Sequence, residues 1–372
     1  MMRKHDIDNL RCGIVVVVIL YHIVYLFNSV GVISNVNIQG VPGMDVFLYL
    51  CYPWFMVCLF VLAGMSARYA LKVRTDRQFL KERVHKILIP SIAGIFIIGW
   101  ISGFVTSRYA DMWGGNGAAV PGIFKYLIYC LSGIGPLWFC HELFLASLVL
   151  LLIRKIDKKD RIGVLCKRAT LLVLFLLVFL VWGSAQILNT PIIEIYRNGI
   201  YIFMFLLGYE LFAWEEVQKL LEKYALLFLG IAGVLGVVYT GYYWGENYAA
   251  MENLKSFLTN SYAWFMTVAL LGCGRRWWNK ETAFTRYFRP RNFGLYVLHY
   301  PLLAVFAWIA DKTFHLPPWA FYPALLVAEA VALPACYELV SRTPLLKTLL
   351  LGLSWKRRNV KTAVFFGKEE KW

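Results

Sequence analysis

The sequence is short of charge, and of acid in particular. Only 16% of its 372 residues are charged, against about 25% in a soluble globular domain, which argues against one large water-facing core. Asp and Glu number 22 against 38 Lys and Arg, so the chain has no acidic tail or tract. Cysteine is sparse and unpatterned. Cys12, Cys51, Cys58, Cys130, Cys140, Cys166, Cys273 and Cys336 form no Cys-x-x-Cys pair and no zinc-finger spacing with histidine. They read as small packing residues, and neither a disulfide framework nor a metal site is expected. Also missing are a long polar linker, a low-complexity tract and a second soluble domain.

What is present is apolar sequence, 60% of the chain, with a mean hydropathy of +0.60. Long runs fall near 12–30, 44–67, 87–106, 136–153, 169–187, 196–213, 224–243, 257–274, 292–310 and 319–341. Each approaches the roughly 20 residues a helix needs to cross hydrocarbon. A further run, 123–131, suits a re-entrant or interfacial helix. The first run resembles a signal peptide, but it is long, lacks a small-residue cleavage site and precedes many more such runs, so it reads as a retained first span. The expected fold is an all-α polytopic membrane protein with about ten transmembrane helices. It is expected to form one domain over 1–341, followed by a short basic tail, 342–372, suited to the inner leaflet and its lipids.

The net charge of +16 raises nucleic acid as a partner, and its distribution argues against it. The N-terminus, 68–86, 154–168, 214–223, 275–291 and the tail carry 33 of the 38 Lys and Arg. The alternate loops hold only Arg108, Lys125, Arg197, Lys255 and Lys312. Basic short loops face the cytoplasm, which places both termini there. The opposite loops, with SRYADMWGGNGAAVPG and WGENYAAMENLK, have the aromatic and glycine content that suits a membrane interface or sugars.

Polar residues inside the runs carry the functional signal. Arg11 and His22 are eleven residues apart, about three helical turns, so they share one face and lie about 16 Å apart along the axis. Such a residue facing lipid costs about 2.5 kcal/mol or more, so it faces the bundle interior or a wet cavity. A histidine there has the chemistry of a general base. The plainer alternative is a histidine bonded to a neighbouring helix, with Arg11 as an interfacial anchor. His299 lies two turns into a later run, His141 and Glu142 sit together in GPLWFCHELFLASL, and Asp45 opens the second run. One polar cavity lined by all of these is the expectation. In RTDRQFLKERVHKILIP, Arg83 and Lys86 are three residues apart on one helical face and suited to an anionic phosphate. Most of the other basic residues there read as topological charge.

Taken in order, these segments resemble the acyltransferase-3 family of integral membrane acyltransferases. Its opening Leu-Asp-x-Leu-Arg, ten residues and His is similar to Ile7-Asp8-Asn9-Leu10-Arg11 and His22. Its Phe-x-x-Ser-Gly appears as Phe60–Gly64 with Ala63 for the serine. Its Arg-x-x-Arg-Ile-x-Pro appears from Arg83 to Pro90, with Lys86 for the second arginine and one extra residue before the proline. Leu137-Trp138-Phe139, the Gly208 segment FLLGYELF, and Tyr296-x-x-His299 with an extra Tyr300 before Pro301 complete the set.

The resemblance implies transfer of a short acyl group, acetyl or succinyl, from cytoplasmic acyl-CoA. The implied acceptor is a hydroxyl of a cell-envelope carbohydrate or lipid-linked glycan, and the implied location is a bacterial inner membrane. Arg83, Lys86 and Arg11 then hold the donor phosphates. His22 is the general base or a transient acyl carrier, and Glu142, His141 or His299 orients it or lines the acceptor route. The competing class is a secondary transporter or channel with an intramembrane His/Glu proton relay, although no repeat between the halves supports it.

Overall fold

The computed structural model describes residues 4–36, 38–115, 117–190 and 196–354. Among them the regular structure is helical, apart from a lone bridge between Asn189 and Arg197. In lipid every backbone polar group needs a partner within its own segment, so helices are what such apolar runs form.

Eleven of these helices are α1 (His5–Tyr25), α2 (Pro42–Leu71), α3 (Asp76–Thr106), α4 (Gly122–Ser132), α5 (Gly135–Ile156), α6 (Leu171–Ser184), α7 (Asn198–Phe212), α8 (Ala225–Tyr242), α9 (Phe257–Trp277), α10 (Asn292–Lys312) and α11 (Pro318–Arg342). Each of the ten long apolar runs falls on one of them. Seven, namely α1, α2, α3, α5, α8, α10 and α11, are long and apolar enough to cross a membrane. The run at 123–131 forms α4, which like α6 and α7 is shorter. α9 has the length, 21 residues, but buries Thr259, Asn260, Ser261 and Thr267, which makes it less apolar than the seven. The tail beyond Ser354 lies outside the described residues.

The first helix begins seven residues before the expected start at position 12 and ends at Tyr25 rather than 30. Asp6 and Asp8 lie in its first turn, where acidic side chains favour the helix N-terminus. Ser29 is thereby left in a loop, where its backbone N–H donates to Asp45 at 3.2 Å and its hydroxyl donates to the same carboxylate.

The segments rich in Lys and Arg meet at one end of the bundle. Lys4 pairs with Glu215 at 2.6 Å, Arg275 with Glu222 at 2.8 Å and Arg154 with Asp76 at 3.0 Å. Arg68, buried, binds Asp160 and Glu210 and lies 4.9 and 4.4 Å from the Tyr209 and Trp214 rings. Glu215 lies outside the apolar helices, and Arg275 and Lys4 hold its carboxyl down at about 2. Exposed pairs of this kind add little stability each, so their main structural content is the side of the bundle they mark.

Two glycines fix the central helix crossing. A Cβ at Gly64 of α2 would overlap the Phe205 carbonyl oxygen of α7, and one at Gly208 would overlap the Val61 carbonyl oxygen. The contact is reciprocal, so both motif glycines serve one close backbone approach. Gly64→Ala and Gly208→Ala should each lower stability by about 1–3 kcal/mol, the usual cost of overpacking. Gly13→Ala, with nothing within 4 Å of the added carbon, should stay within about 0.5 kcal/mol of the native chain. Thermal unfolding in detergent, followed by tryptophan fluorescence, makes the comparison; equal losses at all three sites would refute the close approach.

Candidate active site

Two cavities abut inside the bundle. The first, about 440 Å³, is basic: Arg11, Arg74, Arg83, Lys86 and Arg289 line it, with Glu82 as the one acid. The second, about 540 Å³, is rich in tyrosine and contains His22. Both volumes fall in the range of small-molecule sites. Tyr296 lines both, so the cavities meet at its ring.

The basic cavity is built by five helices, α1, α2, α3, α5 and α10. Arg11 reaches from α1 to the Ser66 hydroxyl of α2 and to the Leu62 carbonyl at 3.5 Å, and it lies 3.7 Å from Asp8. Ala63 and Ser66 both line this cavity. Ser66, one turn after Ala63, brings a hydroxyl to the same wall. Arg83 packs over the Phe79 ring at 4.6 Å. Lys86, largely exposed, sits 3.9 Å from Glu82, and Arg74 pairs with Glu82 at 3.3 Å. The residue that looked like an insertion before Pro90 is accommodated by a π-helical turn, Val84–Leu88. An i→i+5 turn holds more residues than an α-turn, so α3 keeps both Arg83 and Lys86 on the cavity wall.

His22 and His299 make direct contact. His22 Nδ1 lies 2.8 Å from the Val18 carbonyl oxygen and 3.2 Å from His299 Nε2. His299 Nδ1 lies 2.7 Å from the Tyr296 carbonyl oxygen. A carbonyl only accepts, so each Nδ1 carries a hydrogen. With both rings neutral, His299 Nε2 is an acceptor, and His22 Nδ1–H is shared between it and Val18. That leaves the lone pair on His22 Nε2. Tyr300 meets the His22 ring edge-on at 4.9 Å and donates to the Asn35 side-chain oxygen. The extra tyrosine of the sequence is therefore part of the cavity wall.

The other ionisable residues are placed differently. His141 Nδ1 is 2.9 Å from the Tyr196 hydroxyl, and Tyr196 lines the tyrosine cavity. Glu142 is buried, neither oxygen has a hydrogen-bond partner, and it is not among the lining residues. Asp45 holds Ser29 and likewise stands outside both cavities. The single cavity expected for all of these residues is thus two cavities, with His22 lining one of them and His299 buried behind it, in contact with its ring. Sequence reasoning did not single out Arg289, from the segment after α9, or Arg197, in the tyrosine cavity. Both looked like loop charges, and no local pattern marks them. Among the described residues, no group of His, Cys, Asp and Glu is arranged to hold a metal ion.

The arrangement offers a ring nitrogen with a free lone pair in a confined cavity, and a cluster of cations in the neighbouring one. Comparison with known proteins gives a match of residues 4–336 to the family model described as acyltransferase domain, Acyl_transf_3. No curated protein and no solved structure matches the chain. The family match spans both cavities and every helix that builds them, and the chain belongs to the acyltransferase-3 family of membrane acyltransferases.

Proposed function

We propose that the protein is an acyl-CoA-dependent O-acyltransferase of a bacterial inner membrane. It moves acetyl, with succinyl as the alternative, to a hydroxyl of a cell-envelope carbohydrate or lipid-linked glycan. The ten apolar runs are then membrane crossings, with the basic end and both termini cytoplasmic, an orientation that the charge distribution supports. One observation carries the reading: Arg11 and His22, on a single helix, line two different cavities that abut at Tyr296.

The donor's phosphates bind at Arg11, Arg83 and Lys86, with Arg74 and Arg289 adding charge. The pantetheine arm runs along α1 and brings the thioester to His22. The acceptor hydroxyl gives its proton to His22 Nε2 as its oxygen attacks the thioester carbonyl carbon. The carbon–oxygen bond forms, the carbon–sulfur bond breaks, and the leaving sulfur takes the proton back from the imidazolium. His299 Nε2 and the Val18 carbonyl accept from Nδ1–H throughout. They hold the ring orientation and stabilise the positive charge that appears on it. His299 is thus a positioning residue, and Glu142 has no step in this scheme.

Inverted membrane vesicles supplied with acetyl-CoA labelled in the acetyl group should transfer label to a glycan or lipid. His22→Ala should lower transfer by about 10²–10⁴-fold, the usual contribution of a general base, while leaving CoA affinity in place. Full activity in the variant would remove the general-base role. Counterflow of a labelled solute without thiol release would point to a transporter instead.

Arg83→Ala and Lys86→Ala should each weaken CoA binding by about tenfold, the scale of one charge-assisted hydrogen bond. The rate at saturating donor should hold. Unchanged donor affinity in both variants, measured by titration of the purified protein, would overturn the phosphate assignment.

A further inference from the structure

The tyrosine cavity holds one permanent charge that the proposed chemistry leaves unused. Arg197, immediately before α7, lines this cavity and is only 4% exposed. Its Nη2 donates to the Leu254 carbonyl at 3.0 Å, its Nε has no acceptor, and the Tyr201 ring lies 5.9 Å away. The cavity lining contains no Asp or Glu, and among the described residues no carboxylate lies within ion-pair distance of this guanidinium. Glu142, also buried, is not paired with it.

An arginine stays protonated in any protein environment. Taking its charge out of water is costly unless an opposite charge replaces the lost hydration, and the Leu254 carbonyl and the Tyr201 hydroxyl, both uncharged, do so only in part. The unused Nε–H and its neighbouring Nη–H form the fork that grips an oxyanion with two parallel hydrogen bonds. Topology offers no reason for the charge, because Arg197 belongs to the few basic residues placed away from the basic end. The surrounding rings, among them Tyr196, Tyr201 and Trp138, give flat apolar faces and hydroxyls of the kind a sugar ring packs on.

We infer that the tyrosine cavity takes an anionic acceptor, one bearing a phosphate or carboxylate that Arg197 binds while a hydroxyl of the same molecule meets His22. This rests on the acyltransferase reading and adds to it the chemical class of the acceptor.

The test uses the full chain in phosphatidylcholine nanodiscs, with CoA in excess to fill the basic cavity. Glycerol 1-phosphate, glucuronate and methyl glucoside are titrated by ligand-observed NMR. The native chain should bind at least one anionic probe about tenfold more tightly than the neutral glucoside. Preference for glycerol phosphate alone identifies a phosphate-bearing acceptor, and preference for glucuronate alone a carboxylate-bearing one. Arg197→Gln should abolish the preference, Arg197→Lys should keep part of it, and CoA affinity should be native in both, which a merely structural role for Arg197 does not produce. Glu194 lies outside the described residues, and Glu194→Gln should leave the preference unchanged. Equal or absent binding of charged and neutral probes, a preference that survives Arg197→Gln, or one that appears only in Glu194→Gln would each overturn the inference. A native chain that fails to bind CoA would instead refute the acyltransferase reading, and the dependence on Arg197 would still be decided by the same titrations.

Discussion

Arg11 and His22 share one face of a helix that is otherwise almost wholly apolar, and that face does not tolerate lipid. At a cost of about 2.5–3.5 kcal/mol for a charged residue in mid-membrane, α1 has to sit where other helices cover both positions. It does so by packing among α2, α9, α10 and α11. Ser66 and the Leu62 carbonyl then receive Arg11, and His299 receives His22. The two cavities follow from the same requirement. Each polar group needs space or a partner on its own level of the helix, and Tyr296 fills the level between them.

That placement needs backbones to come close and a helix to change pitch. Gly64 and Gly208 allow α2 and α7 to touch backbone to backbone, which sets where α2 presents Ala63 and Ser66. The π-helical turn at Val84–Leu88 of α3 absorbs one residue and keeps two cations on a single wall. Both are departures from an ideal apolar helix, and the turn at Val84–Leu88 lies on the basic cavity. Further π-helical turns at Ile95–Gly99 and Gly208–Phe212 line neither cavity, so only the first of the three bears on the site.

The two ends of the bundle differ in kind. At one, ion pairs such as Lys4–Glu215 and Arg154–Asp76 tie together segments that are far apart in the chain. At the other, contacts are local or between neutral groups, such as Asn35 to Thr106 at 2.6 Å, and the Asp311–Lys312 ion pair joins adjacent residues. A phosphate-bearing donor matches the first environment. The second leaves Arg197 as an isolated cation among aromatic rings, which is why the acceptor, rather than the donor, is the natural partner for it.

The sequence by itself determined the helical class, the positions of the apolar runs and the face shared by Arg11 and His22. These depend on hydropathy and on a 3.6-residue period, both local properties of the chain. It also carried the family, through motifs whose order is preserved even where Ala63 and Lys86 depart from the pattern. The reach of the helices was only partly legible. α9 was found where its apolar run lies, although it buries several polar residues, and the start of α1 was drawn late because acidic residues in a first turn were read as flanking sequence. Only the tertiary structure decided that His299 meets His22 while Glu142 and Asp45 stand apart, that Ser66 receives Arg11, and that Arg289 and Arg197 enter the cavities. Those outcomes depend on which helices pack against which, through contacts between residues tens to hundreds of positions apart, and no local spacing encodes them.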